Sequence, residues 1–285
     1  SLGIGALNSL TTGSQNVAVG KDVLRINNGT ENSAYGTEAL YSNTSGNSNN
    51  AIGSKALYSK TTGTNNTAIG VSTLFSNTTG NFNTGIGGVT LYSNTVGGSN
   101  TGCGLSALFS NTTGSNNTVS GANALFSNTS GGSNTVSGVN TLYYNTTGSN
   151  NTALGTEALF YNTDRSEIVA LGYRALYNNG TNATLPVHGT LNTAVGTEAL
   201  FNNSQGNNNT TIGYKSLHSN TTGNSNTASG VSSLFHNTTG TGNTANGHSA
   251  LFSNTTGNNN TANGVGALRT NTTGIGNTAS GQEAL

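Results

Sequence analysis

A leucine returns at a fixed step along this chain, at Leu7, Leu24, Leu40, Leu57, Leu74, Leu91, Leu108, Leu125, Leu142, Leu159, Leu176, Leu200, Leu217, Leu234, Leu251, Leu268 and Leu285. The step is seventeen positions, shortened by one between Leu24 and Leu40 and lengthened by seven between Leu176 and Leu200. Around each anchor runs a variant of one phrase, clearest as ALFSNTTGNNNTANG at 250–264. A unit this short cannot bury an apolar face alone. Held over 17 copies, it confines the chain to an array in which each copy buries itself against its neighbours.

Counting from the leucine as zero, position +13 is glycine in the full copies, including Gly70, Gly87 and Gly121, and +6 is usually glycine too, as at Gly63 and Gly80. Two glycines half a period apart predict two turns per copy, each needing positive φ or close backbone approach. Asn, Thr, Ser and Gly dominate between them, so any helix would be too short to persist. The expected fold is all-β, a parallel β-solenoid of about seventeen coils, each one repeat long, with extended segments at Ala-Leu-aromatic-Ser and at Asn-Thr-Ala-x-Gly. At a rise of ~4.8 Å per coil, the stack would be a rod on the order of 80 Å long.

Strand alternation turns the leucine ladder (Leu57, Leu74, Leu91, Leu108, Leu125) and the small side chains at position +11 inward, and the rings at +1 outward. A row of outward rings is a long apolar stripe, which soluble monomers rarely carry. Position +12 changes from Ile52, Ile69 and Ile86 to Ser120, Asn246 and Asn263, a change that a dry core would not accept. Phe75, Tyr92, Phe109, Phe126, Ile52, Ile69 and Ile86 are therefore candidate subunit-interface residues; the other readings are that the rings cover a turn and that +12 merely faces water. The asparagines at +3 and +9 should stack into amide ladders, as in cross-β assemblies. Their many N-x-T/S triplets are also glycosylation acceptors, although ladder geometry already explains the pattern.

Charged residues are 6% of the chain, eight basic and eight acidic. That excludes the basic surface that nucleic-acid binding requires and gives no polybasic membrane patch. No apolar run is long enough to cross a bilayer, so no direct membrane insertion is expected. The chain opens (SLGIGAL) and closes (SGQEAL) inside copies. A single repeat array over residues 1–285, part of a longer fibre protein, is expected.

The Asn-Thr-Ala-Ile-Gly run at 66–70 and the leucine–glycine spacing resemble the head repeats of trimeric autotransporter adhesins, with their N-S-x-A-I-G motif, and the longer-period shafts of phage tail-fibre-like proteins. The resemblance covers the whole chain. It implies a left-handed β-roll in each subunit, a homotrimer, and an extracellular fibre or adhesin on a cell or virion-like particle. The adhesin repeat is shorter than this one, and no neck, coiled-coil stalk, anchor or chaperone is present here.

Chemistry-bearing residues are few. His188, His218, His236 and His248 occupy different slots of the repeat, so no metal or other cofactor is expected. Glu38, Glu157, Glu198 and Glu283 share the slot two before the leucine and read as solvated surface, which leaves no carboxylate pair for acid–base catalysis and no expectation of an enzyme. Cys103 sits at +12 and reads as a packed thiol. One region breaks the pattern. Asp164, Arg165 and Glu167 replace a turn, and the next copy carries Arg174 and an irregular insertion at 177–192 that includes Pro186 and His188. Stacking should set the two irregularities side by side. They form a candidate recognition loop, because loops on a rigid scaffold are where recognition usually resides; a tolerated surface insertion is the plainer alternative.

The expected function is a structural and adhesive trimeric fibre, its partners itself and a glycan or cell-surface receptor. An ice-binding solenoid is the alternative. It is disfavoured because the threonines read as N-T-T beside a turn glycine instead of T-x-T along a strand.

Overall fold

The computed structural model describes residues 2–181, 185 and 188–285, so Pro186 lies outside the described residues. Two compact units divide the chain, residues 1–136 and 137–285, and both are parallel β-solenoids built from the same coil. Sixteen short strands occur among the described residues, one per coil. They are β1 (Val17–Val19), β2 (Ser33–Tyr35), β3 (Asn50–Ile52), β4 (Thr67–Ile69), β5 (Thr84–Ile86), β6 (Thr101–Cys103), β7 (Thr118–Ser120), β8 (Thr135–Ser137), β9 (Thr152–Leu154), β10 (Val169–Leu171), β11 (Thr193–Val195), β12 (Thr210–Ile212), β13 (Thr227–Ser229), β14 (Thr244–Asn246), β15 (Thr261–Asn263) and β16 (Thr278–Ser280).

In the first unit β1 to β7 pair in sequence order, parallel and in register, so that Ala51 faces Ala68 and Ile52 faces Ile69. In the second unit β9 to β16 do the same, with Thr244 beside Thr261 and Asn246 beside Asn263. Both one-copy irregularities are absorbed outside the strands: Val17 pairs Ser33 across the shortened copy and Val169 pairs Thr193 across the lengthened one. The period therefore belongs to the ladder, and both changes in copy length fall between strands.

The second extended segment expected at Ala-Leu-aromatic-Ser does not form. That stretch is a tight turn, and its leucine adopts the left-handed conformation, with φ of 51° at Leu57, 53° at Leu74 and 55° at Leu108. A left-handed bulky residue costs about 1–2 kcal/mol. Burial of a leucine returns about 2 kcal/mol, and Leu57, Leu74, Leu91, Leu108 and Leu125 are fully buried. The two effects nearly offset, so the leucine locates the core more than it stabilises it. Hydrogen bonds hold the strained turn: the Leu74 amide donates to the Thr90 carbonyl of the next coil at 2.9 Å, and the Asn77 amide to the Leu74 carbonyl at 3.2 Å.

The inner strand position packs against that turn, and the two trade volume. Where Thr73 and Thr90 precede the leucine, Gly85 and Gly102 stand opposite, and a Cβ there would lie 2.6 and 2.8 Å from the threonine methyl. Thr141 is accommodated with Ala153 retained, so the exchange is not obligatory. The two glycine columns serve different ends. Position +13 carries φ of 126–141°, a region that is essentially glycine-only. At +6 the φ is ordinary, but a Cβ on Gly80 would sit 2.4 Å from both the Asn77 side-chain oxygen and the Gly97 carbonyl.

Both asparagine ladders form. At +9, Asn83 Nδ2 donates to Asn66 Oδ1 at 3.1 Å and to the Gly97 carbonyl at 2.8 Å, and the next rung, Asn100, repeats the pattern on Asn83. At +3, Asn111 donates to Asn94 and Asn128 to Asn111, each at 2.7 Å. In both ladders each amide donates to the copy before it, so the dipoles add and the hydrogen bonds strengthen one another. These buried columns fill the part of the coil that the narrow alanine-leucine core cannot reach. Two residues interrupt them. Ile168 takes a +9 slot, and its amide bonds to Asn151 Oδ1 at 3.2 Å. Lys60 takes a +3 slot, fully buried, its Nζ donating to the Gly80 carbonyl at 2.8 Å.

Candidate functional site

Among the described residues no group of three or more His, Cys, Asp or Glu could hold a metal ion. Candidate sites are therefore surfaces, and the coil presents three.

The first is the outer strand face. Position +10 is mostly threonine, and the side chains at +12 point outward: Ile52, Ile69 and Ile86 are 46%, 38% and 42% exposed. Cys103 continues this column and is exposed, which corrects the expectation of a packed thiol; outward strand parity leaves it no second wall. The column runs Val19, Tyr35, Ile52, Ile69, Ile86, Cys103 in the first unit, then turns polar at Ser120. In the second unit Leu154, Leu171, Val195 and Ile212 precede Ser229, Asn246, Asn263 and Ser280.

The second is the ring column at +1. Tyr41, Tyr58, Phe75, Tyr92, Phe109 and Phe126 stack with centroids 5.0–5.2 Å apart and nearly parallel planes. Stacking covers their faces, and Phe75, Tyr92, Phe109 and Phe126 are half-buried. The rings thus shield one another along the column. In the second unit Tyr177, Phe201, His218 and Phe235 stack in the same way. Burial lowers the His218 pKa, against the nearby Glu198 carboxylate, and raises that of Tyr177.

The third gathers four of the nine charged residues of the second unit. Register sets position −2 of successive coils one above the next, so Arg174 Nε meets Glu157 Oε2 at 2.6 Å and Lys215 Nζ meets Glu198 Oε2 at 3.3 Å. The solvated-glutamate reading is corrected accordingly: stacking supplies each of these two with a cation. The Arg174 guanidinium lies 5.0 Å from the Tyr173 ring and 5.3 Å from Tyr177, and Lys215 Nζ lies 5.2 Å from Tyr214. Hydrogen bonding to Glu157 raises the Arg174 pKa, and hydrogen bonds to Tyr214 and then Glu198 raise that of Lys215. Both cations stay charged at neutral pH.

The candidate recognition loop divides. Asp164 and Glu167 are exposed, Arg174 belongs to the charged column just described, and Arg165 is buried, with its Nε 3.3 Å from Asp164 Oδ1. Arg165 occupies the +6 turn slot. Elsewhere a Cβ in that slot would strike the next coil's carbonyl, as at Gly80. Here the next coil sets Gly180 beside the arginine stem, where an added Cβ would lie 3.1 Å from Arg165 Cγ. The two irregularities are indeed neighbours, and one makes space for the other. His188 is half-buried, and its Nδ1 has no hydrogen-bond partner among the described residues. The sequence did not point to Tyr173 and Tyr214 or to Lys60; the paired phrases GTEAL–GYRAL and GTEAL–GYKSL at 155–176 and 196–217 were the available signal for the first two. Compared with protein-family models, curated proteins and solved structures, the chain matches none of them.

Proposed function

We propose that this chain is a length-setting segment of an extracellular homotrimeric fibre that holds an adhesive surface away from a cell or particle. The exposed apolar column at +12 carries the reading, because a solenoid with so thin a core has little reason to spend Ile52, Ile69, Ile86, Leu154 and Ile212 on water. Along the sequence that column alternates apolar and polar blocks of unequal length. A second copy matches it, apolar on apolar, when it lies parallel and in register. Parallel identical chains related by rotation about a shared axis close into a cyclic oligomer, and the adhesin-like strand motif favours three chains.

Light scattering on the purified chain should return three chain masses. The I52N/I69N/I86N variant should return a lower oligomer with its coils intact, since Asn246 and Asn263 already occupy that slot. Mild oxidation should join native chains through Cys103, which register places on its own copy. A monomeric wild type that resists cross-linking would end the trimer reading.

One observation favours the alternative, an ice-binding face. The threonine two before the turn glycine bonds the next coil, as Thr61 Oγ1 does to the Thr78 carbonyl at 3.0 Å, and the one beside the glycine, as at Thr239 and Thr256, is exposed. The strands also offer half-buried threonines to solvent, as in Thr244-Ala-Asn246 and Thr261-Ala-Asn263, where T-x-N runs along the ladder. Thermal hysteresis in a monomeric wild type, lost on T244K/T261K substitution, would establish that reading in place of the fibre.

A further inference from the structure

The second unit carries one constellation twice. Glu157, Tyr173 and Arg174 form its first copy, and Glu198, Tyr214 and Lys215 its second, each with the cation on the carboxylate of the preceding coil and over the ring of its own coil. Tyr173 and Tyr214 stand in the same slot two coils apart, with Thr197 between them. Two rungs of a parallel ladder separate them by about 9.6 Å. Neither ring stacks on another aromatic ring among the described residues, unlike the +1 column, and they are 42% and 49% exposed.

Neighbouring coils place Thr156 and Thr197 in this slot, so the fold does not require a ring there. What the two tyrosines provide is a pair of broad apolar faces, each edged by fixed hydrogen-bonding groups: donors on Arg174 and Lys215, acceptors on Glu157 and Glu198, and the phenol hydroxyls. Aromatic faces with polar margins suit a ligand that has C–H faces and hydroxyl edges. Each cation is matched by a carboxylate, so the surface does not select for charge. The platforms stand open to solvent, which argues against a small molecule that must be enveloped. The duplication along the ladder fits a ligand that itself repeats, because two weak contacts joined in one chain bind far more tightly than either alone.

We infer that the Tyr173–Arg174–Glu157 and Tyr214–Lys215–Glu198 constellations together bind a linear, uncharged polysaccharide lying along the coil stack. The inference rests on the adhesive half of the proposed function, not on the trimer. Gels cast with glucomannan, mixed-linkage β-glucan or pullulan should retard the full chain in at least one case. Tyr173→Thr or Tyr214→Thr should weaken retardation about tenfold, and the double variant should remove it. Threonine is the native neighbour in the slot, so an unchanged melting temperature is expected and separates binding from folding. Tyr35→Thr, on the strand face of the first unit, should leave retardation unchanged.

Failure of all three polymers to retard the wild type would overturn the inference, as would retardation by alginate alone or a double variant that migrates like wild type. Light scattering on the same samples keeps the two readings apart: retarded monomers would end the fibre and leave the polysaccharide surface, and unretarded trimers would do the reverse.

Discussion

Replacing Gly104 by alanine should cost about 4 kcal/mol or more, among the largest losses available to a single methyl group. The residue sits at φ 137°, where a side chain is strained whatever space surrounds it. Space is lacking as well: the new Cβ would lie 2.5 Å from the Gly121 carbonyl oxygen and 2.6 Å from its carbon. Backbone cannot yield here, because the Gly121 amide is held on the Cys103 carbonyl at 2.8 Å. Each coil touches its neighbours alone, so the loss should be local. Amide exchange should accelerate in β5, β6 and β7 while β1 stays protected. Gly98→Ala is the control: its φ is not positive, its Cβ would approach the Asn81 carbonyl at 3.1 Å, and Ser115 fills the equivalent slot one coil on. Its effect should fall within about 0.5 kcal/mol. Equal denaturant midpoints for the two variants would refute the glycine argument.

Lys60→Asn should stabilise the first unit, and the gain should depend on pH. Burial drives the Lys60 pKa from its ordinary 10.5 down to about 7, because the charged form loses its water and gains no carboxylate among the partners found for it. A base whose folded pKa is depressed binds fewer protons folded than unfolded between those two values, so stability rises with pH from about 7 to 10.5 and is lowest below 7. At about 1.36 kcal/mol per unit, the full span is on the order of 5 kcal/mol. An asparagine at position 60 carries no such penalty and returns an acceptor to the Asn77 side-chain amide, whose donor at present rests on the Gly80 carbonyl at 3.2 Å. Urea melts of the first unit's signals should show a slope against pH in the wild type and none in the variant, with the two converging near pH 10.5. Parallel pH profiles would mean that Lys60 reaches water in the folded state.

Legibility followed from what repetition can and cannot encode. The leucine and glycine columns, the small inner side chain at +11 and both asparagine ladders could be read from the sequence, because in-register stacking turns a period directly into a contact: side chains one repeat apart become neighbours, as Asn94 and Asn111 do. The conformation inside a coil could not be read in the same way. Ala-Leu-aromatic-Ser has the apolar character of a strand, yet it closes as a left-handed turn, since only that path returns the leucine to the inner face of so small a ring. Surface chemistry was legible only in part. Arg165 looked like a recognition residue, but it is buried beside Gly180 of the following coil, whereas Tyr173 and Tyr214 gained meaning only when register fixed the cation next to each on a glutamate of the preceding coil.

The sequence by itself determined the period, the parallel in-register ladder and the residues that line its interior, because every copy repeats the same short-range requirements. Only the tertiary structure decided which glutamate meets which cation, which rings shield one another and which stand open, and that a lysine is sealed in an amide column. Those outcomes depend on how side chains of adjacent coils share space, and no single copy carries that information.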